Sequence, residues 1–213
     1  SGALALVLLA VIAVGWLLVE FVGRTARAEA DRRLLTIARL AVSTVHSELV
    51  AGFDPKVDAS SSRYYTLKRQ LENLNDASPQ TRYIYVLIMR EGQLQFCADS
   101  EPEASETHSP PGQLYYDAPE DVYKVFRDSK SSTVATYEDR WGHWASAFVP
   151  VNDEYTGEVV AVLGVDISLE AFLRDVTQQR LAPIAVTLLF AGLLISFYAI
   201  SEKQRESDRK SVV

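Results

Sequence analysis

Asp139, His143 and Ser146 bring the residue types of a hydrolytic triad into one short stretch. The chemistry needs more than residue types. A nucleophilic serine sits on a sharp turn beside a glycine-rich pocket of N–H donors, whereas Ser146 falls mid-strand with neither. No catalytic residue is expected. His46, His108 and His143 have no metal-ligand spacing and no cysteine cluster beside them, so no metal is expected, and no motif calls for another cofactor. Cys97 is the one cysteine, which excludes an intrachain disulfide. In an alternating strand it reads as a small, half-buried side chain rather than a redox sensor.

Recognition chemistry remains. Asp166 is a charge inside the most apolar stretch outside the chain ends, Glu158–Ile167, so it either faces a pocket or sits at a strand end and caps the helix after Ser168. Tyr83, Tyr85 and Trp144 offer flat surfaces with polar tips, which suit a small-molecule pocket and equally suit a core.

These residues need a scaffold, and the pattern of the chain supplies one. Glu158–Ile167 (EVVAVLGVDI) is too apolar for a strand with one wet face, so both its faces are covered. Arg82–Met89 (RYIYVLIM) is a second such run, and the two are expected to be interior neighbours. Glu91-Gly92 turns the latter into Gln93–Asp99, whose Leu94, Phe96 and Ala98 alternate with polar neighbours as in a half-wet strand. Thr133–Tyr137 and Trp144–Val151 make two more strands around a turn at Arg140-Trp141-Gly142. The polar, proline-containing stretch from Ser100 to Leu114 is long enough for a functional flap or a disordered insertion.

Helices bracket the strands. Leu34, Ile37, Ala38, Ala41, Val45 and Leu49 recur every three or four positions, which predicts one long helix from the first apolar segment to about residue 50, ended by Gly52 and Pro55. A second helix starts in the serine run 60–62 and carries Tyr64, Leu67, Leu71 and Leu74 on one face. Asp117, with Glu120 three residues on and Pro119 in the first turn, predicts a short helix with Val122, Val125 and Phe126 inward, ending near Asp128. After Ser168, Leu169, Phe172, Leu173 and Val176 give the last helix its apolar stripe.

The two ends are membrane-like. Residues 3–23 hold the single charge Glu20 and residues 181–200 hold none, and each run of about twenty residues matches the ~30 Å hydrocarbon core of a bilayer. A signal peptide is the alternative for the first run, but the run is longer than such a segment usually is and lacks a basic start and a clear cleavage site, so a membrane anchor is expected. Two spans put both termini on one side and residues 24–179 on the other; arginines and lysines follow both spans, so charge bias does not choose the side. Residues 201–213 read as the start of a charged helix that continues, so the chain is expected to be part of a longer protein. A net charge of −7 without a basic, aromatic-studded stripe argues against nucleic acid as a partner. The basic clusters beside the spans suit lipid head groups instead.

RYIYVL, DSEP at Asp99–Pro102, SPPGQLYYDAPE, YEDRWGHWASAFVPV and above all GEVVAVLGVDIS resemble the single Cache (PAS-like) sensor domains of bacterial transmembrane receptors, over roughly Arg24–Gln179. The resemblance implies an α+β fold: a five-stranded antiparallel sheet of order 2-1-5-4-3 packed on a long N-terminal helix, its other face closed over a small ligand, flanked here by two transmembrane helices. It implies an extracytoplasmic domain in the inner membrane, with histidine kinase, diguanylate cyclase or chemoreceptor modules as outputs. In some relatives an Asp at the GVDI position contacts ligand amines. With Asp166, Tyr83, Tyr85 and Trp144, the residues Asp99, Tyr116 and Ser146 in the matching segments complete the expected ligand-binding set. The Arg-x-Trp-Tyr pattern of amino-acid-binding members is absent; Trp141-Gly142-His143-Trp144 is a different sequence. The expected function is the sensory part of a signalling receptor, a homodimer through its membrane-proximal helices. The alternative is a membrane-anchored assembly protein whose domain binds another protein, and the sequence after residue 213 discriminates the two.

Overall fold

A computed structural model describes residues 2–211; the end of the expected 201–213 helix, residues 212 and 213, lies outside them. The chain forms two compact units, one made of residues up to Ala28 together with those from Arg174 on, the other of Glu29–Leu173.

The first unit is helical. It holds the start of α1 (Gly2–Val42) and most of α5 (Leu169–Ser211), which runs through Pro183. Both helices are long and apolar enough to cross a membrane, with mean hydropathy 2.8 and 2.2 in their most apolar windows. Large apolar side chains such as Leu6, Phe21, Leu188 and Phe197 stand exposed, an arrangement stable in lipid and costly in water. The two helices approach closely at Gly15, where a methyl group would come within 2.3 Å of Thr187 Cγ2.

The second unit is α+β. Its helices are the distal part of α1, α2 (Pro55–Asp58), α3 (Ser62–Asp76) and α4 (Glu120–Asp128). Its strands are β1 (Tyr83–Arg90), β2 (Gln93–Asp99), β3 (Ser132–Asp139), β4 (Gly142–Asn152) and β5 (Val159–Ser168). They form one antiparallel sheet in the order β2-β1-β5-β4-β3, with the two apolar strands β1 and β5 side by side inside it. Glu91 and Gly92 both take positive φ at the β1–β2 turn, the backbone that matches the twist of a hairpin. One sheet face carries Ile84, Val86, Cys97, Ala147 and Val165; α3 lies against its β1 and β2 end, with Leu67 and Leu71 fully buried. The other face carries Tyr83, Tyr85, Phe96, Trp144 and Asp166, and α4 covers part of it with Val122 and Val125.

Three local expectations are corrected. The long helix ends at Val42 rather than near residue 50, because Ser43 and Thr44 turn their hydroxyls back onto the Leu40 and Ala41 carbonyls (2.7 and 2.8 Å) and compete with the helical ladder. A short 3-10 turn, Ser47–Leu49, and α2 follow instead. The helix expected from Asp117 begins at Glu120: Pro119, with ψ 147°, is extended and stands just outside it, while Glu120 and Asp121 occupy the first turn, where the helix dipole favours acids. β2 is not half-wet, and Cys97 is fully buried. α3 covers one side of β2, and residues 112–115 bond to its free edge through Gly112 N–H to Phe96 O (2.8 Å), Phe96 N–H to Gln113 O (2.9 Å) and Tyr115 N–H to Leu94 O (3.0 Å). The edge is thereby protected from pairing with other chains. Burial pushes the Cys97 thiol well up, so it stays protonated.

Candidate functional site

The sheet face opposite α3 builds a cavity from the alternation of its strands. Odd residues of β1 and even residues of β2, β4 and β5 share that face, which brings Tyr83, Tyr85, Phe96, Trp144 and Asp166 together. The segment bonded to β2 adds Tyr115, the β3–β4 turn adds Asp139 and Trp141, and the 100–114 loop adds Thr107 and Ser109. Six aromatic rings and three carboxylates thus line one space, and no Lys or Arg does. The space is narrow, a cavity of about 20 Å³. A ligand of more than a few atoms needs the loop or the turn to shift.

The 100–114 loop is a built wall. Asp99, at the end of β2, is 4 % exposed and accepts the Ser109 N–H (2.6 Å); Lys68 Nζ from α3 lies 3.0 Å and His108 Nδ1 2.8 Å from its Oδ1. The same ammonium donates to the Asp99 carbonyl (3.1 Å) and to the Glu101 carbonyl. The Glu101 carboxylate in turn accepts from Arg82 (2.6 Å), Ser105 (2.8 Å) and Thr107 (2.6 Å). Asp99 therefore has its counter-charge in Lys68 and fixes the loop.

Asp139 fixes the turn. Its Oδ1 accepts from Trp141 N (2.9 Å), Gly142 N (3.2 Å) and Trp144 Nε1 (2.8 Å), and its Oδ2 from Tyr115 OH (2.7 Å). Trp141 then closes over Phe96 and Tyr115 at centroid distances of 5.5 and 5.6 Å, with the Arg140 guanidinium 4.1 Å from its ring centroid.

Asp166 is the centre of the site. It is 3 % exposed, and its Oδ1 accepts from Ser146 Oγ (2.5 Å) and Tyr85 OH (3.1 Å), with Tyr137 OH at 3.5 Å. Oδ2 accepts from no described residue and faces the cavity. Burial raises its carboxyl to about 7 against the pull of the Ser146 and Tyr85 hydroxyls, and the Asp139 charge adds to the rise. Burial also pushes Tyr85, Tyr115 and Tyr137 well up, so all three remain neutral donors. Tyr85 reaches Asp166 because its cross-strand partner is Gly164: the ring lies where a side chain would stand, with Cε2 2.4 Å from the position of a Cβ.

Of the residues expected from sequence, Tyr83, Tyr85, Asp99, Trp144 and Asp166 line the cavity. Ser146 is fully buried behind it and orients Asp166. Tyr116 is 75 % exposed and away from the cavity; its neighbour Tyr115, 3 % exposed, is the ring inside. Asp166 does not cap α5, where Ser168 Oγ takes the Ala171 N–H at 3.2 Å. The triad residues are not assembled, since His143 is exposed and pairs with Glu138 at 3.3 Å while Ser146 and Asp139 bond elsewhere. Among the described residues no group of three or more His, Cys, Asp or Glu side chains is placed to share a metal ion. Sequence reasoning missed Tyr115, Asp139 and Trp141. Asp139 carried a signal in the spacing D-x-W-G, which lets one carboxylate accept from the backbone of its own turn.

No protein-family model and no curated protein matches the chain. Solved structures do. The ligand-binding domain of the Campylobacter jejuni chemoreceptor Tlp3, in complex with 4-methylisoleucine, superposes with a TM-score of 0.56 at 10% identity, covering 79% of this chain and 62% of that one. The E. coli DcuS sensor domain gives 0.53 at 14% identity over 72% of this chain and 98% of that one. The Tlp3 sensory domain with isoleucine bound gives 0.52 at 10% identity, over 79% and 65%. The chain thus spans less than two thirds of the Tlp3 domain. It has the fold of bacterial receptor sensor domains, a Cache-like five-stranded α+β unit flanked in sequence by two helices suited to crossing a membrane.

Proposed function

We propose that the chain is the sensory portion of a transmembrane signalling receptor that binds a small cationic ligand, an ammonium ion with a compact apolar body, in the cavity under the 100–114 loop. The observation that carries this is the Asp166 carboxylate, buried with one oxygen facing an aromatic space that no Lys or Arg enters. Such a space attracts a cation through the carboxylate and the ring faces together and gives a ligand carboxylate no partner. The Tlp3 complexes hold α-amino acids, which also bring an ammonium group. Tyr83, Tyr85 and Trp144 supply the rings, Tyr115 and Trp141 the roof, and Asp99 the loop wall.

On this reading residues 3–23 and 181–200 cross a bacterial inner membrane, residues 24–179 lie outside the cytoplasm, and residues from 201 lead to an output module, a histidine kinase or a diguanylate cyclase. The receptor works as a homodimer through its membrane-proximal helices. The apolar, exposed faces of α1 and α5 and the sensor fold support this arrangement.

The test uses the full chain in nanodiscs and a panel of alkylammonium ions, with the fluorescence of Trp141 and Trp144 as readout. Wild type is expected to bind at least one of them saturably. Asp166→Ala should weaken that binding by about 10- to 100-fold, the worth of one hydrogen bond to a charge, with an unchanged far-ultraviolet dichroism spectrum. Equal affinity in the variant removes Asp166 from the site.

A further inference from the structure

A carboxylate as deeply buried as Asp166 needs its charge cancelled. The groups facing it do not do so. β1 offers the neutral Tyr85, β3 the Tyr137 hydroxyl and a second carboxylate, Asp139, β4 the Ser146 hydroxyl, and the β2-bonded segment Tyr115. The cations around the cavity are engaged elsewhere: Lys68 is committed to Asp99 and the Glu101 carbonyl, with His108 on the same Asp99 oxygen, Arg82 pairs with Glu101 while lying against the Tyr83 ring, and Arg140 lies against the Trp141 ring. Asp139 is held in place by four donors, none of them charged. Only a proton or a bound cation is left to neutralise Asp166, and both reach the same atom, Oδ2, from the cavity.

We infer that the site exchanges one for the other: Asp166 holds a proton on Oδ2 until an ammonium ion takes its place, so the domain reads its ligand against the acidity of its surroundings. This rests on the cation reading above. The step balances without a further reactant: the Oδ2–H bond breaks, the proton passes to water, and the cation pairs with the carboxylate left behind. The carboxyl raised to about 7 puts the exchange where small changes in acidity matter. Tyr85, Tyr137 and Ser146 hold Oδ1 and so direct the proton to Oδ2.

Two measurements on the full chain in nanodiscs test the exchange. The first follows the ¹³C shift of the Asp166 carboxyl, assigned by its loss in Asp166→Asn, against pH without ligand. It is expected to titrate near neutrality, and a carboxyl still ionised below about pH 5 overturns the inference. The second is calorimetry with methylammonium and with tetramethylammonium, both fully charged at the pH used, in two buffers of different ionisation heat at about pH 6. Nearly one proton should leave per ion bound, and affinity should fall about tenfold per pH unit below neutrality and level off above it. Binding of either ion without proton release overturns the exchange alone. Failure of both ions to bind overturns it together with the cation reading.

Discussion

Gly164→Ala should disable the site while leaving each of its polar groups in the sequence. The new methyl carbon would stand 2.4 Å from Cε2 and 2.5 Å from Cζ of Tyr85, well inside any contact that real atoms make. β1 and β5 are central strands paired through this very position, so the backbone has little room to yield and the ring must leave. Asp166 then loses the Tyr85 hydroxyl, and the cavity loses its floor. Overpacking of this kind costs about 1–3 kcal/mol, and the lost hydrogen bond and misplaced ring weaken alkylammonium binding by at least about tenfold. Urea unfolding followed by tryptophan fluorescence gives the first number and titration the second. The double variant Gly164→Ala/Tyr85→Ala should recover part of the stability and none of the binding. Wild-type stability in the single variant contradicts the packing described for Tyr85.

The same glycine shows how far sequence reasoning reached. GEVVAVLGVDIS marked the central strand, and its uninterrupted apolar character correctly put β5 beside β1. It could not show that Gly164 makes room for the ring of Tyr85, far earlier in the chain, because cross-strand register is a long-range property. Phase caused the trade of Tyr116 for Tyr115. The segment 112–115 bonds to β2 like a strand, so neighbouring residues face opposite ways, and a one-residue choice in LYYD sends the wrong tyrosine inward. Lys68 was invisible for another reason. Its helix pattern shows Tyr64, Leu67 and Leu71 facing inward, but a lysine next to them reads as solvated until the end of β2 arrives to meet it. Where local chemistry decided the outcome, as in the Ser61 cap of α3 or the Glu91-Gly92 turn, the sequence sufficed. The early end of α1 was also local, written in Ser43 and Thr44, but the apolar period ran past them and concealed it.

Transmission carries the second large expectation. β5 ends at Ser168 and α5 begins at Leu169, so no loop separates the strand that holds Asp166 from the helix that continues through the apolar span. On the proposed reading, a shift of Asp166 on ligand binding would pass into α5 through regular backbone, and coupling of about 1–3 kcal/mol would be enough to bias two arrangements of a receptor. Two glycines inserted after Ile167 in a receptor carrying its output module should leave alkylammonium affinity within about threefold while removing most of the ligand-dependent change in output, because a flexible joint absorbs the displacement. An unchanged response amplitude would mean that the signal leaves by α1, and that β5 serves as core alone.

A small cation seated against Asp166 inside the aromatic cavity would touch the rings that line it. Isotope-filtered nuclear Overhauser spectra of ¹³C-labelled chain with unlabelled tetramethylammonium address that contact directly. Contacts are expected from the methyl protons to the rings of Tyr83, Tyr85 and Trp144, lost in Asp166→Asn. Saturable binding whose contacts fall instead on exposed rings such as Tyr116 or Tyr155 would place the cation outside the cavity and away from Asp166.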